Sequence, residues 1–157
     1  MNDLIAIDFE TADDAPHSAC AVGIVGVTQG KLINPKSFLI RPPSLNFKKS
    51  FIAIHGITPE QVEKERTFAQ IWSDIQHSFH GAKLVAYNAP FDRRVQTACL
   101  DYYQLQKPDI EWTCALQMAR RAWPDLPNHK LSTVCKHLGI KLNHHNALSD
   151  AQACALV

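Results

Sequence analysis

The stretch that most constrains this chain lies near its start, where Leu4, Ile5, Ala6 and Ile7 run without a break into Asp8, Phe9 and Glu10. An apolar run this short and this β-branched favours strand over helix, and its lack of alternation marks a strand buried on both faces. Strand side chains alternate, so Asp8 and Glu10 project from one face while Phe9 points to the other. Two carboxylates ~4 Å apart at an effective dielectric of about 20 repel by ~4 kcal/mol. Nothing in the strand's own sequence offsets that cost. A hard divalent cation with oxygen ligands does. The competing reading is a strand end that has reached the surface, where acids are common.

At 157 residues the chain predicts one domain, 1–157, with a substantial core. A formal net charge of only +1 argues against a long basic face for gripping duplex, though not against an enzyme that holds a few nucleotides. Dications on the acids would add positive charge and favour an anionic substrate. The five cysteines are odd in number and scattered without a CxxC, which points to buried free thiols in a reducing compartment. With no basic leader before an apolar run and no membrane-spanning stretch, the expected location is cytoplasmic.

Along the chain, residues 11–17 form a polar loop, residues 18–28 a second strand, and residues 31–40 its hairpin partner across Gln29-Gly30. Leu32, Phe38 and Leu39 are the partner's core candidates. Arg41-Pro42-Pro43 stops the sheet. Residues 44–54 read as irregular. Thr58-Pro59-Glu60-Gln61 opens one helix, and Thr67 caps another that carries Phe68, Ile71, Trp72, Ile75 and Phe79 on one face and ends at Gly81. Residues 84–87 form a fourth strand. Asn88-Ala89-Pro90 caps a helix running towards Gln104, and residues 110–113 form a fifth strand. Helices follow to about Trp123, over 131–138, and from Ala147. This order implies an α/β fold, a mixed sheet with helices on its faces. Val157 still lies inside the last helical pattern, so either that helix ends with the chain or the chain is part of a longer one.

Three further features carry chemistry. Asp92 sits in the first turn after Asn88, and Asp150 in the first or second turn after Asn146. An acid there is often no more than a good partner for the helix dipole. His144 and His145 precede the last helix, a place where histidine is commonly a surface residue.

Taken together, Asp8-Phe9-Glu10, Asn88-Ala89-Pro90-Phe91-Asp92 and His145-Asn146-Ala147-Leu148-Ser149-Asp150 closely resemble the three motifs of the DEDDh 3′→5′ exonuclease superfamily. That superfamily includes DNA polymerase III epsilon-like proofreading exonucleases, RNase T and oligoribonuclease. Ile54-His55-Gly56-Ile57-Thr58 resembles the segment ahead of the family's small helix. The chain departs at Thr11-Ala12-Asp13, where many members have Thr-Thr-Gly, and at Tyr87, where many have His. The resemblance implies a ribonuclease H-like fold with a five-stranded sheet, and two Mg²⁺ or Mn²⁺ ions. It assigns Asp8 as the bridging ligand, Glu10 and Asp150 as ligands of the ion that carries water, and Asp92 as a support through water. His145 becomes the proton acceptor, and its rival His144 sits one residue too far from Asp150 for the pattern.

The expected activity is therefore removal of nucleoside monophosphates from the 3′ end of DNA, of the epsilon-like proofreading type. The expected partners are a single-stranded DNA end and a DNA polymerase subunit, with no membrane. The alternatives are an exoribonuclease of the RNase T or oligoribonuclease type, a non-catalytic nucleic-acid-binding module, and acids without a metal. For the substrate, Phe9, Thr11, His55, Ile57 and Asn88 are the binding candidates. Phe47 and Phe51 read as loop anchors, Lys48 and Lys49 as solvated charges, and Arg93 and Arg94 as facing phosphate or solvent. A Cys/His zinc site at Cys135 and His137 lacks a second ligand pair.

Overall fold

The computed structural model describes residues 4–157. β1 (Leu4–Thr11), β2 (Ala19–Thr28) and β3 (Lys31–Leu39) form an antiparallel meander. β4 (Lys83–Ala86) and β5 (Glu111–Cys114) join in parallel, giving the order β3-β2-β1-β4-β5. β1 is thus central, which explains why its apolar run does not alternate: Ile5, Ala6 and Ile7 are all buried.

Among the described residues seven α-helices cover the sheet: α1 (Lys49–His55), α2 (Pro59–Val62), α3 (Phe68–Ile75), α4 (Ala89–Tyr102), α5 (Ala115–Ala122), α6 (Leu131–Leu138) and α7 (Ala147–Leu156). On one face Ile5, Ile7 and Phe9 pack with the α3 stripe of Phe68, Ile71, Trp72 and Ile75 and with Val95 and Cys99 of α4. Burying one such aliphatic or aromatic side chain contributes about 1.5–3 kcal/mol. On the other face Ala6, Val25 and Val85 meet Ala115 of α5 and Ala151 and Cys154 of α7. Asp8 and Glu10 share the face of Ala6, so they lie under α7. All five cysteines are free thiols. Among the described residues, no helix is long and apolar enough to cross a membrane.

The structure departs from the sequence reading in four places. Residues 49–54, expected to be irregular, lie in α1. Lys48 stands at its N-cap with extended backbone and no side-chain cap, so no start signal exists, whereas Gly56 closes it in the left-handed conformation at φ 75°. The helix expected to reach Gly81 ends at Ile75 and tightens into a 3₁₀ turn over Gln76–Phe79. Leu39, expected in the core, is 37% exposed because β3 is a sheet edge. Asn88 occupies the N-cap position of α4, but its side chain makes no capping bond.

Candidate active site

One glycine and one backbone bond bring the distant acids together. Gly23 lies opposite Asp8 in the β1–β2 register. A Cβ built on Gly23 would fall inside the backbone of Ala147 and Leu148, so only glycine lets the start of α7 rest directly on β2. Asn146 caps that helix, accepting the Ser149 N–H at 3.0 Å, and Asp150 follows in the first turn. Asp92, in the first turn of α4, accepts the Phe9 N–H at 2.9 Å, which pins it to the residue that Asp8 and Glu10 flank.

Carboxylate oxygens of Asp8, Glu10 and Asp150 lie within 4.8 Å of one another. Asp92 and Asp150 are only 2% and 5% exposed. Burial drives the Asp8 carboxyl well above its usual range, and Asp92, Glu10 and Asp150 push it further. Glu10 rises to about 8, through burial and then Asp150 and Asp92. Burial lifts Asp92 to about 7 against the pull of the Phe9 N–H, and it raises Asp150 against the pull of His144. Without a counter-charge, such a cluster holds protons near neutrality. An all-oxygen donor set of this density fits hard divalent cations.

Both histidines reach Asp150. The His144 ring places Nδ1 3.2 and 3.3 Å from the two carboxylate oxygens, and His145 donates its backbone N–H at 3.1 Å. The rings stack with centroids 3.7 Å apart. His145 adopts φ 64°, an uncommon backbone for a non-glycine residue and a form of strain that collects at functional sites. Its ring has no hydrogen-bond partner among the described residues. Burial, and then His144, lowers its pKa and favours the neutral imidazole.

His55 is fixed from both sides. Its Nδ1 accepts the Ile57 N–H at 3.0 Å, so in the neutral ring Nε2 carries the proton and donates to the Thr11 carbonyl at 3.0 Å. A cavity of about 200 Å³ beside Glu10 is lined by Thr11, Phe51, Ile54, His55 and Phe91. Ile57 instead packs on the cluster of Ala12, Cys20, Phe47 and Val62. Phe47 anchors its loop as expected, while Phe51 faces the site. The Phe9 ring lies in the core, leaving its backbone towards the acids. A second cleft of about 500 Å³ holds Asp8, Asp92, Asp150 and Asn88 together with Arg120 and Lys130. Sequence reasoning missed Phe91 and Ile54, which carry no polar signature, and Arg120 and Lys130, which look like ordinary surface cations.

Comparison with known proteins shows the family and the fold. The model of the exonuclease family RNase T matches residues 5–157. Exodeoxyribonuclease 10 of Escherichia coli (strain K12) is 33% identical over 142 residues, 85% of this chain and 57% of that protein. DNA polymerase III subunit epsilon of Haemophilus influenzae is 29% identical over 171 residues, 98% of this chain and 65% of that protein. The chain therefore spans little more than half the length of the first of these relatives. The structure of exonuclease X in complex with 5′-overhanging duplex DNA matches at 30% identity and TM-score 0.78, covering 98% of this chain and 87% of that one. The nuclease domain of 3′hExo, a DEDDh family member bound to rAMP, shares the fold at 18% identity and TM-score 0.81. By its motifs, its ribonuclease H-like fold and the match over residues 5–157, this chain belongs to the RNase T family of exonucleases.

Proposed function

We propose that this chain is a divalent-metal-dependent 3′→5′ exonuclease that releases nucleoside monophosphates from the 3′ end of single-stranded DNA. The observation that carries this reading is the convergence of half-buried Asp8 and Glu10 with buried Asp150 within 4.8 Å, with Asp92 held beside them by the Phe9 N–H. Those four carboxylates are the residues that would hold Mg²⁺ or Mn²⁺. When bound, a pair of such ions stabilises the attacking and leaving oxygens of an in-line displacement.

The chain's own residues do the rest. His145 accepts the proton of the attacking water, since its ring nitrogens have no hydrogen-bond partner among the described residues and burial favours its neutral form. His144 is spent on Asp150 and serves to hold that carboxylate in place. His55 fixes the Thr11 carbonyl and so shapes the backbone next to Glu10. The cavity of Phe51, Ile54 and Phe91 receives the terminal nucleotide, whose apolar faces suit aromatic stacking. Asn88 borders the strand from the larger cleft.

DNA is preferred over RNA because the relatives named above, at 29–33% identity, are an exodeoxyribonuclease and a DNA polymerase III subunit. The polymerase III subunit among them supports a polymerase partner, and a proofreading role is proposed with it. Digestion of matched DNA and RNA oligonucleotides, each with paired and mismatched 3′ ends, tests this reading. The expected result is faster loss of DNA from the 3′ end, with mismatched termini removed first. Preferential digestion of RNA would favour the exoribonuclease alternative.

A further inference from the structure

We propose that Arg120 and Lys130 form a second anion site, for the backbone phosphate of the nucleotide preceding the scissile bond, and that Tyr87 positions both cations. The inference rests on the exonuclease reading above and extends it to the strand that runs on past the reacting group. The cleft holding Asp8, Asp92 and Asp150 also holds Arg120 from α5 and Lys130 from the residue ahead of α6. At about 500 Å³ it has room for more than one phosphate group.

Lys48, Arg66, Lys83 and Lys107 each pair with a carboxylate. Arg120 and Lys130 have no ion-pair partner among the described residues, and nothing links them to the acids of the cleft. Their charge is therefore available to an incoming anion, and the anion a polynucleotide presents beside its reacting bond is its next backbone phosphate.

Tyr87 ties both cations to the end of β4. Its hydroxyl donates to the His129 carbonyl at 2.7 Å, next to Lys130. Its carbonyl accepts the Leu116 N–H at 2.9 Å, at the start of the helix that carries Arg120. The loop is braced further: the His129 ring nitrogen lies 2.9 Å from the Trp123 carbonyl, and the Asn128 side-chain oxygen accepts the Lys130 N–H at 3.1 Å and the Thr133 hydroxyl at 2.6 Å. A loop so fastened presents Lys130 in one place. Tyr87 also lines this cleft, but its hydroxyl is spent on the His129 carbonyl, so its role is to position the cations through these bonds.

The test measures anisotropy of a labelled single-stranded DNA of about ten nucleotides in Ca²⁺, and turnover in Mg²⁺, over a range of salt. Each phosphate neutralised on a single strand adds about 0.7 to the salt slope, so Arg120→Ala/Lys130→Ala, which removes one such phosphate site, should lower the slope by about 0.7. It should raise KM roughly tenfold or more while kcat changes only a few-fold. Arg120→Lys/Lys130→Arg should restore most of the slope, and Tyr87→Phe should raise KM by a smaller factor. A double alanine variant with wild-type slope and KM, or one that loses kcat alone, would overturn the proposal. Wild type that binds with the expected slope yet cleaves nothing would overturn the exonuclease reading and leave the anion site standing. Wild type that does not bind DNA would overturn both.

Discussion

Raising the pH in the presence of a chelator should destabilise this protein, and divalent metal should reverse the loss. Glu10 rises from 4.5 to about 8 and Asp92 from 3.8 to about 7, with Asp8 and Asp150 raised as well. Below about pH 3 these groups are protonated in both folded and unfolded chains and contribute nothing to the difference. Between their unfolded and folded pKa values only the native state keeps the proton, so each group costs about 1.4 kcal/mol of stability per pH unit. For Glu10 and Asp92 between about pH 5 and pH 7 that sums to as much as ~5 kcal/mol, a large share of a typical 5–15 kcal/mol total. Above the folded values the loss levels off. Metal that binds only the native cluster returns about 2.7 kcal/mol at a hundredfold excess over its Kd. Thermal melts in EDTA and in Mg²⁺ at about pH 5 and about pH 8 read both effects. Tm in EDTA should fall with pH, and the Mg²⁺ increment should be larger at the higher pH. A flat EDTA profile, or an equal increment at both pH values, would refute the electrostatic argument. Asp8→Asn supplies a check, since in EDTA near pH 8 it should be more stable than wild type, by up to about 4 kcal/mol.

The remaining predictions concern how the site is built. Gly23→Ala forces a Cβ into the Ala147–Leu148 backbone; calorimetry should show a loss of about 1–3 kcal/mol, and kinetics a disproportionate fall in kcat as Asp150 moves away from Asp8. His145→Ala should lower kcat on the order of 10²–10⁴-fold in single-turnover assays, with His144→Ala losing less; the reverse order would make His144 the proton acceptor. Asp92→Asn keeps an acceptor for the Phe9 N–H and should fold normally but turn over poorly, whereas Asp92→Ala should also cost about 1–3 kcal/mol by orphaning a buried donor. His55→Ala breaks two backbone anchors and should raise KM together with a loss of roughly 1–3 kcal/mol in denaturant melts.

Much of this fold is local and therefore legible in one sequence. Apolar runs give the strands, Pro59 and Thr67 mark helix starts, and the α3 stripe repeats at helical spacing. The acids are legible for a related reason: each sits at a helix start or a strand end, where a carboxylate has a stated chemical use. α1 escaped because Lys48 caps nothing, so its start carries no local signal. Leu39 was misplaced because β3 pairs on one side only, a property of the sheet rather than of the strand. The contribution of Gly23 depends on a helix far along the chain and shows only when α7 is seen lying on it. Arg120 and Lys130 need the same tertiary view, since nothing near them in sequence mentions the acids they share a cleft with.

The account depends on the acids holding divalent ions against a 3′-terminal phosphodiester. Release of mononucleotides from a 5′-labelled single-stranded DNA, followed with Mg²⁺, with EDTA, and with Asp8→Ala in Mg²⁺, tests that dependence most directly. The account predicts stepwise shortening from the 3′ end in the first case and intact DNA in the other two. Equal shortening by the Asp8→Ala variant, or by wild type in EDTA, would contradict it.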